Sequence, residues 1–255
     1  MGGYANVNGL RMYYEIHGDG EPLLLLHGGT ASIEYFQKQI PSFAGEFRVI
    51  APEQMAHGRT PDVPDREFHY HDMAEDTIGL MDQLGVASAF VVGWSDGGIL
   101  GLDLAIHHPD RVRKLVCSGT NARVDGMEPE ALDWLRKARP EDWPRDLRET
   151  YERLSPDGPG HWPVVLKRIV EMFQREPSFS PEQLAGISAP TLLIIGDHDM
   201  VRPEHAVEMF RLIPGAQLCV VPHAGHGVPA ARPALWNETV LSFLNEPVAA
   251  QPTSR

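Results

Sequence analysis

The sequence has few cysteines and no long apolar run. Its two cysteines, Cys117 and Cys219, each lie inside a short apolar stretch and form no C-x-x-C pair. Buried thiols fit this pattern better than a disulfide framework, a zinc site or a redox pair. The longest apolar run, from Leu23 to Leu26, is far shorter than the roughly 20 residues that a membrane-spanning helix needs. We therefore expect no membrane association.

Clusters of basic residues and a secretory leader pattern are also lacking. The net charge is −13, from 35 acidic and 22 basic residues, and no lysine or arginine cluster stands out, which argues against a nucleic-acid partner. Residues 1–7 lack a basic stretch followed by an apolar run, so we expect a cytoplasmic protein. The hydrophobic fraction of 42% is sufficient for a sizeable core, and 255 residues fit one large α/β domain or two small ones.

Strand-like and helix-like segments alternate along most of the chain. Asn8-Gly9 separates the first two strand-like segments and is a strong hairpin signal. Strands are predicted at residues 4–7, 10–17, 23–26, 47–51, 89–92, 114–116, 191–195 and 217–221, and helices at residues 73–84, 99–106, 203–212 and 233–244. This alternation predicts an α/β fold with a mostly parallel central sheet flanked by helices.

Residues 121–189 differ in character from the rest of the chain. The stretch contains three tryptophans, several prolines and many charged residues. Helical periodicity is present near residues 128–137, 144–154 and 163–174, and no buried strand pattern occurs. We predict a helical insertion at residues 121–189 between core segments at residues 1–120 and 190–246. The polar, proline-containing residues 247–255 are predicted to be a disordered tail.

A G-x-S-x-G motif lies at residues 93–97, where a buried strand meets a helix-like stretch. In this setting the motif forms a sharp turn that exposes a nucleophilic serine, here Ser95. Gly93 and Gly97 fit because the turn leaves no room for a Cβ at these positions. The helix N-terminus favours negative charge that develops beside Ser95. The alternative is an ordinary N-cap serine in a glycine-rich loop, and the flanking strand and helix favour the nucleophile.

With this motif the chain resembles the α/β-hydrolase fold family over nearly its whole length. The G-W-S-D-G-G form is similar to biphenyl-hydrolase-like and valacyclovir-hydrolase-type esterases. The resemblance implies the order serine, acid, histidine along the chain. Residues 196–203 resemble the family's G-x-x-D-x-x-x-P segment, which implies Asp199 as the acid, with Asp197 as the competitor. The family's G-H pair after the last strand implies His226 as the base, with His223 as the alternative.

The resemblance also implies an oxyanion hole made of two backbone N–H groups. One belongs to Asp96, the residue after the nucleophile. The family's H-G-x segment, here residues 27–30, implies Gly29 as the other donor, with Thr30 as the alternative. Residues 52–60 resemble the family's D-x-x-G-x-G-x-S loop, with Glu in place of the usual Asp and Ala in place of a Gly. That loop is mainly architectural, so these departures leave the catalytic assignment intact.

The insertion is expected to act as a cap over the substrate pocket. The candidate pocket residues are Thr30, Trp94, Trp134, Trp143 and Trp162, with Met172 and Phe173 as further candidates. For the cap residues, packing inside the cap is the alternative. His69, His71 and Asp72 could suggest a metal site, but they lie where a helix should begin and no second ligand cluster supports them. We therefore expect no metal, and the lack of a Walker A motif or dinucleotide fingerprint predicts no cofactor.

These features predict a serine hydrolase that cleaves a small or medium carboxylic ester, or a related acyl compound, through an acyl-enzyme. C–C cleavage of a β-diketone-type substrate and lactone, thioester or perhydrolase chemistry use the same triad and stay open. Serine at position 95 argues against haloalkane dehalogenases and epoxide hydrolases, which carry Asp there. A ligand receptor on the same scaffold is the non-enzymatic alternative. The Asp96 carboxylate could favour a cationic substrate, and the oligomeric state stays open.

Overall fold

An eight-stranded sheet forms the centre of the computed structural model, which describes residues 1–247. Its strands are β1 (Gly2–Val7), β2 (Leu10–His17), β3 (Glu21–Leu26), β4 (Phe47–Pro52), β5 (Ala89–Trp94), β6 (Val112–Ser118), β7 (Thr191–Gly196) and β8 (Gln217–Val221). They lie in the order β1-β2-β4-β3-β5-β6-β7-β8. The β1–β2 and β2–β4 pairs are antiparallel and the remaining pairs are parallel. The predicted α/β architecture with a mostly parallel sheet is confirmed.

Helices cover both faces of this sheet. They are α1 (Ile40–Phe43), α2 (Tyr70–Gln83), α3 (Asp96–His107), α4 (Pro129–Lys137), α5 (Arg145–Leu154), α6 (Trp162–Phe173), α7 (Pro181–Ala185), α8 (Pro203–Leu212), α9 (Val228–Ala231) and α10 (Pro233–Asn245). Apolar residues of α2, α3 and α8 belong to one core cluster, and those of α1 and α10 belong to a second cluster. None of the helices within residues 1–247 is long and apolar enough to cross a bilayer.

The leucine run of β3 explains how the two core clusters share one strand. Leu24 and Leu26 belong to the first cluster, whereas Leu23 and Leu25 belong to the second. Because successive side chains of a strand point to opposite faces, a strand covered on both sides must be apolar at every position. Burying each leucine contributes about 2 kcal/mol of hydrophobic free energy. The four leucines therefore favour a position for β3 in the middle of the sheet, where helices cover both of its faces.

The stretch from residue 121 to residue 189 connects β6 to β7 and contains helices α4 to α7. Three of these helices agree with the predicted helical segments to within one residue at each end. The short helix α7 begins after Ser180, whose hydroxyl accepts a hydrogen bond from the Gln183 N–H. The sequence prediction did not include this helix. The predicted tail at residues 247–255 falls, from residue 248 onward, outside the described residues.

Candidate active site

The loops that follow β3, β5, β7 and β8 meet at one edge of the sheet, because the carboxyl ends of parallel strands lie on the same side. From β3 the chain first moves outward to β4 and then returns to the other side of β3 as β5. Such a reversal of strand order opens a crevice at the carboxyl ends of the two strands, where open α/β sheets bind ligands. Residues 27–30 and Ser95 follow these two strands directly.

Ser95 lies in the turn between β5 and α3 with a backbone φ of 54° and ψ of −121°. This conformation is costly for a residue with a side chain, and backbone strain of this kind concentrates at functional sites. The turn is held because the Ser95 N–H donates to the Ser118 carbonyl at 2.8 Å. A Cβ at Gly93 would overlap the backbone of Gly97, and one at Gly97 would overlap the Leu26 carbonyl. Both glycines are therefore sterically required.

A continuous hydrogen-bond chain joins Ser95 to two side chains from the last two strand ends. His226 Nε2 lies 2.9 Å from Ser95 Oγ, and His226 Nδ1 lies 2.8 Å from Asp199 Oδ1. An ionised carboxylate only accepts hydrogen bonds, so Nδ1 carries the proton and Nε2 is left to accept from the Ser95 hydroxyl. This tautomer is the one that a general base for Ser95 requires.

Asp199 is held in its ionised form by its surroundings. It is only 6% exposed, and burial opposes ionisation. The hydrogen bond and charge of His226, together with the N–H groups of Val201 and Gly196, outweigh burial and lower the pKa of Asp199. The two N–H groups lie 3.1 and 3.3 Å from the carboxylate. Asp199 therefore orients His226 as a fixed negative charge.

The competing residues Asp197 and His223 are placed differently. The N–H groups of His223 and Ala224 lower the pKa of Asp197, and the Ala224 N–H lies 3.1 Å from its carboxylate. It therefore braces the loop after β8. His223 is exposed and has a left-handed backbone with a φ of 54°. Within the described residues, only His226 bonds to the Ser95 hydroxyl.

Two buried histidines fix the loop after β3. The Thr30 N–H donates to His57 Nε2 at 2.9 Å, so Thr30 is not free to serve as an oxyanion donor. His27 Nε2 accepts the Gln54 N–H at 3.1 Å. Burial lowers the pKa of His27 to about 3 and that of His57 to about 4, so both rings are neutral and keep an acceptor nitrogen. Gly29 is left as the candidate donor from this loop.

The glycines of this loop allow its backbone to approach the nucleophile. A Cβ at Gly28 would lie 2.8 Å from the Trp94 ring and 2.9 Å from Ser95 Cβ. A Cβ at Gly29 would lie 2.6 Å from Asp96 Oδ2. The loop can therefore bring backbone N–H groups to Ser95 only because these positions lack side chains.

The Asp96 carboxylate lies beside this loop and is itself buried. Burial raises its pKa to about 7, although the Tyr70 hydroxyl, the charge of His226 and the Gly29 N–H partly stabilise the ionised form. Sequence reasoning identified Asp96 for its N–H and did not find the contact with Tyr70. Tyr70 is the first residue of α2 and lies between His69 and His71 in the sequence. The residues around it do not indicate a contact with the turn that carries Ser95.

A cavity of about 350 Å³ opens above Ser95. Its wall combines residues of the strand-end loops with residues of the insertion: Gly29, Thr30, Tyr35, Tyr70, Trp94, Ser95, Asp96, Asn121, Met127, Trp134, Leu135, Trp143, Pro144, Asp146, Leu147, Phe173, Glu176, Pro177, Met200, Val201 and His226. The wall is mostly apolar, and its acidic side chains are Asp96, Asp146 and Glu176. No lysine or arginine of the described chain contributes to it.

The structure places Thr30, Trp94, Trp134 and Trp143 in this wall, but the prediction for Trp162 is wrong. Trp162 is only 2% exposed and packs inside the insertion, with its ring 5.3 Å from that of Tyr151. Its indole N–H donates to the Pro140 carbonyl at 3.3 Å. The indole is therefore an anchor of the helical insertion rather than a part of the pocket.

Met172 and Phe173, the two further pocket candidates, lie at the C-terminal end of α6, the helix that begins with Trp162. Met172 is fully buried and does not line the cavity, whereas its neighbour Phe173 does. Successive residues of a helix point about 100° apart, so one faces the interior of the insertion and the other faces the cavity. Glu53 and Ala56, the two departures from the family's loop after β4, do not line the cavity either. Glu53 accepts hydrogen bonds from Arg59 and from the Ile33 N–H, and it braces that loop.

Comparison with known proteins places the chain in a family. The family model described as "alpha/beta hydrolase fold" matches residues 21–161. RutD of Azorhizobium caulinodans, provisionally named a carbamate hydrolase, is 30% identical over 95% of this chain and 98% of its own. A 2-hydroxy-6-oxo-6-(2'-aminophenyl)hexa-2,4-dienoic acid hydrolase of Metapseudomonas resinovorans is 30% identical over 95% of this chain and 90% of its own.

A solved structure has the same fold. The meta-cleavage product hydrolase CumD of Pseudomonas fluorescens IP01 superposes with a TM-score of 0.81 at 24% identity, and the match covers 96% of this chain and 98% of that chain. The family model, the two relatives and this solved structure agree in assigning the chain to one fold family. The chain therefore belongs to the α/β-hydrolase fold family and is a hydrolase.

Proposed function

We propose that the protein is a serine hydrolase that cleaves small or medium carboxylic esters through an acyl-enzyme. One observation carries this proposal: the unbroken hydrogen-bond chain from Ser95 through His226 to Asp199 at the base of an apolar cavity. Catalytic triads are recognised by this geometry and by the role of each member. The substrate is a small molecule, the site of action is the cytoplasm, and residues 121–189 act as the cap.

The chemistry follows from the hydrogen bonds. Ser95 Oγ attacks the ester carbonyl while its proton passes to His226 Nε2, and Asp199 stabilises the resulting imidazolium. When the tetrahedral intermediate collapses, the bond to the leaving oxygen breaks and that oxygen takes the proton from Nε2. Water then attacks the acyl-enzyme, gives its proton to Nε2 and releases the acid, and Ser95 recovers its proton.

Two backbone N–H groups stabilise the intermediate in this proposal. They belong to Asp96 and Gly29, which flank the nucleophile from the start of α3 and from the loop after β3. A donor of this kind typically contributes about 3 kcal/mol of transition-state stabilisation. Gly29 is preferred to Thr30 because the Thr30 N–H is bonded to the buried His57 ring, whereas the Gly29 N–H faces the Asp96 carboxylate, directly beside the nucleophile.

The charge of the cavity wall favours neutral or cationic substrates over acids. Asp96, Asp146 and Glu176 line the wall, and Lys and Arg are missing from it within the described chain. A substrate carboxylate 4 Å from one ionised wall carboxylate would be repelled by about 4 kcal/mol at an effective dielectric constant of about 20. The relative from Metapseudomonas resinovorans is named for a dienoic acid, and an acid of that kind is poorly matched to this wall. Ester cleavage is therefore preferred to C–C cleavage.

Carbamate cleavage is the second candidate, because RutD is similar over the full length of the chain. A carbamate ester, like a carboxylic ester, has a carbonyl carbon that Ser95 can attack. It is uncharged, so the carboxylates of the cavity wall do not repel it. Its cleavage would use the same acyl-transfer steps, with a carbamoyl group on Ser95 in place of an acyl group.

Fluorophosphonate labelling and a substrate panel test this proposal. We expect the wild type and Ser242→Ala, a control at an exposed serine of α10, to be labelled, and Ser95→Ala to resist labelling. Neutral p-nitrophenyl esters should be hydrolysed faster than matched esters that bear a carboxylate, with p-nitrophenyl carbamates as the second arm. Labelling that persists in Ser95→Ala, or a preference for the acidic esters, contradicts the proposal.

A further inference from the structure

Three potential metal ligands converge on the outer surface of helices α2 and α3, away from Ser95. His71 lies in the first turn of α2, and Asp103 and His107 lie four residues apart in α3. His71 Nδ1 and His107 Nδ1 approach the same oxygen, Asp103 Oδ1, at 3.0 and 3.1 Å. One ligand atom from each of the three residues lies within 4.8 Å of the others.

Two of these separations, the nitrogen–oxygen distances, match the spacing of ligands around a single ion. Zn²⁺ binds imidazole nitrogen and carboxylate oxygen at about 2.0–2.2 Å, so two ligand atoms of a tetrahedral site lie about 3.3 Å apart. The two nitrogen–oxygen distances are close to this value. An ion can therefore enter between the three side chains with only small rotations of the two imidazoles, whose rings are both partly exposed.

The electrostatic surroundings favour a cation at this place. The Asp103 carboxylate is buried, although the two imidazoles that cover it reach solvent. Asp103, Glu75 and Asp72 place three carboxylates around His71. Negative charge at these positions stabilises a bound metal dication.

We propose that His71, Asp103 and His107 bind a transition-metal dication of the Zn²⁺ class and thereby join α2 to α3. Two imidazoles and one carboxylate suit Zn²⁺, Co²⁺ and Ni²⁺, and they do not suit Mg²⁺ or Ca²⁺, which prefer oxygen ligands only. The proton of each neutral imidazole moves from Nδ1 to Nε2, and the fourth position is filled by water. Asp103 is eight residues beyond Ser95, about 12 Å along the helix, so the site is distinct from the catalytic one.

Titration of the untagged, chelator-treated full chain with Zn²⁺ by calorimetry tests this site. We expect one ion to bind per chain, and we expect His71→Ala and His107→Ala each to weaken binding at least tenfold. His17→Ala is the matched control, because His17 pairs with a single carboxylate, Glu15, on the surface. Circular dichroism verifies that the variants fold, which is expected because both substituted imidazoles are partly exposed.

Thermal unfolding gives a second measurement. Zn²⁺ at about 100 times its Kd should raise the Tm of the wild type and of His17→Ala by about 5 °C or more, and it should leave the Tm of His71→Ala nearly unchanged. Replacing Zn²⁺ by Mg²⁺ should have no effect on the wild type. Zn²⁺ binding that is weaker than millimolar, or that is equally strong in the His71 and His107 variants, overturns the proposal.

Discussion

Replacing Asp199 by asparagine removes the charge from the hydrogen-bond chain while keeping its shape. In the native site Asp199 Oδ1 accepts from His226 Nδ1 at 2.8 Å and from the Val201 N–H at 3.1 Å, and Oδ2 accepts from the Gly196 N–H at 3.3 Å. All three neighbours are donors. The amide NH₂ of asparagine must therefore face a donor whichever way it is turned, and the negative charge that stabilises the imidazolium is lost.

The size of the effect follows from the distance between the charges. The centres of an imidazolium and a carboxylate in this contact are about 4 Å apart, which gives about 4 kcal/mol at an effective dielectric constant of about 20. Since about 1.4 kcal/mol corresponds to a factor of ten in rate, Asp199→Asn should lower kcat by about a thousandfold. KM should change little, because Asp199 does not line the cavity.

Steady-state hydrolysis of a neutral p-nitrophenyl ester measures this effect. Asp197→Asn is the matched control, two residues away at the end of the same strand, and it should retain kcat within about threefold because Asp197 only braces the loop after β8. Urea unfolding monitors the stability of both variants. If Asp199→Asn keeps more than a tenth of the wild-type kcat, or if Asp197→Asn loses as much activity, the charge-stabilisation reasoning is wrong.

Three further predictions concern the cavity, the insertion and the loop after β3. The pKa of Asp96 is about 7, so its carboxylate is ionised above that pH. The KM of a cationic ester, divided by the KM of its neutral isostere, should therefore fall as the pH rises through 7. Asp96→Asn should abolish this trend. Trp162→Ala should cost about 3–5 kcal/mol of unfolding free energy in urea, whereas Trp134→Ala, 39% exposed, should cost less and raise KM for bulky esters. The pKa of His57 is lowered from 6.5 to about 4, so between these pH values the unfolded state binds more protons than the folded state. The free energy of unfolding should therefore fall by about 1.5 kcal/mol from pH 6.5 to pH 5. Urea unfolding at each pH measures this change, which should be smaller in His57→Gln.

The sheet could be predicted because its signals are local. The leucines of β3 are apolar at every position, which is the pattern of a strand covered on both faces. Asn8 and Gly9 have φ values of 48° and 81°, the left-handed pair that a tight hairpin turn needs. Such features depend on a few neighbouring residues, and their meaning does not change with the rest of the chain.

The candidate triad could be predicted for a related reason. Ser95, Asp199 and His226 each lie in a loop that follows a parallel strand, and the carboxyl ends of parallel strands meet at one edge of the sheet. Topology therefore brings together three residues that are far apart in sequence. Their mutual distances of 2.8 and 2.9 Å come from the structure alone.

Contacts that depend on how one helix lies against another could not be predicted. Trp134 and Trp162 occur in similar amphipathic patterns, yet the first lines the cavity and the second is buried among aromatic rings of the insertion. Periodicity identifies the apolar face of a helix and does not say which neighbour covers it. The meeting of His71 with Asp103 likewise depends on the packing of α2 against α3, for which the sequence has no local signal.

Trapping the acyl-enzyme tests the central claim most directly. The wild-type chain is mixed with excess neutral p-nitrophenyl ester, quenched in acid within the first turnovers, digested and analysed by mass spectrometry. The account predicts one added acyl group on the peptide that contains Ser95, formed with a burst of p-nitrophenol and missing from Ser95→Ala. Turnover with no acyl group on Ser95, or with the acyl group on another residue, would contradict it.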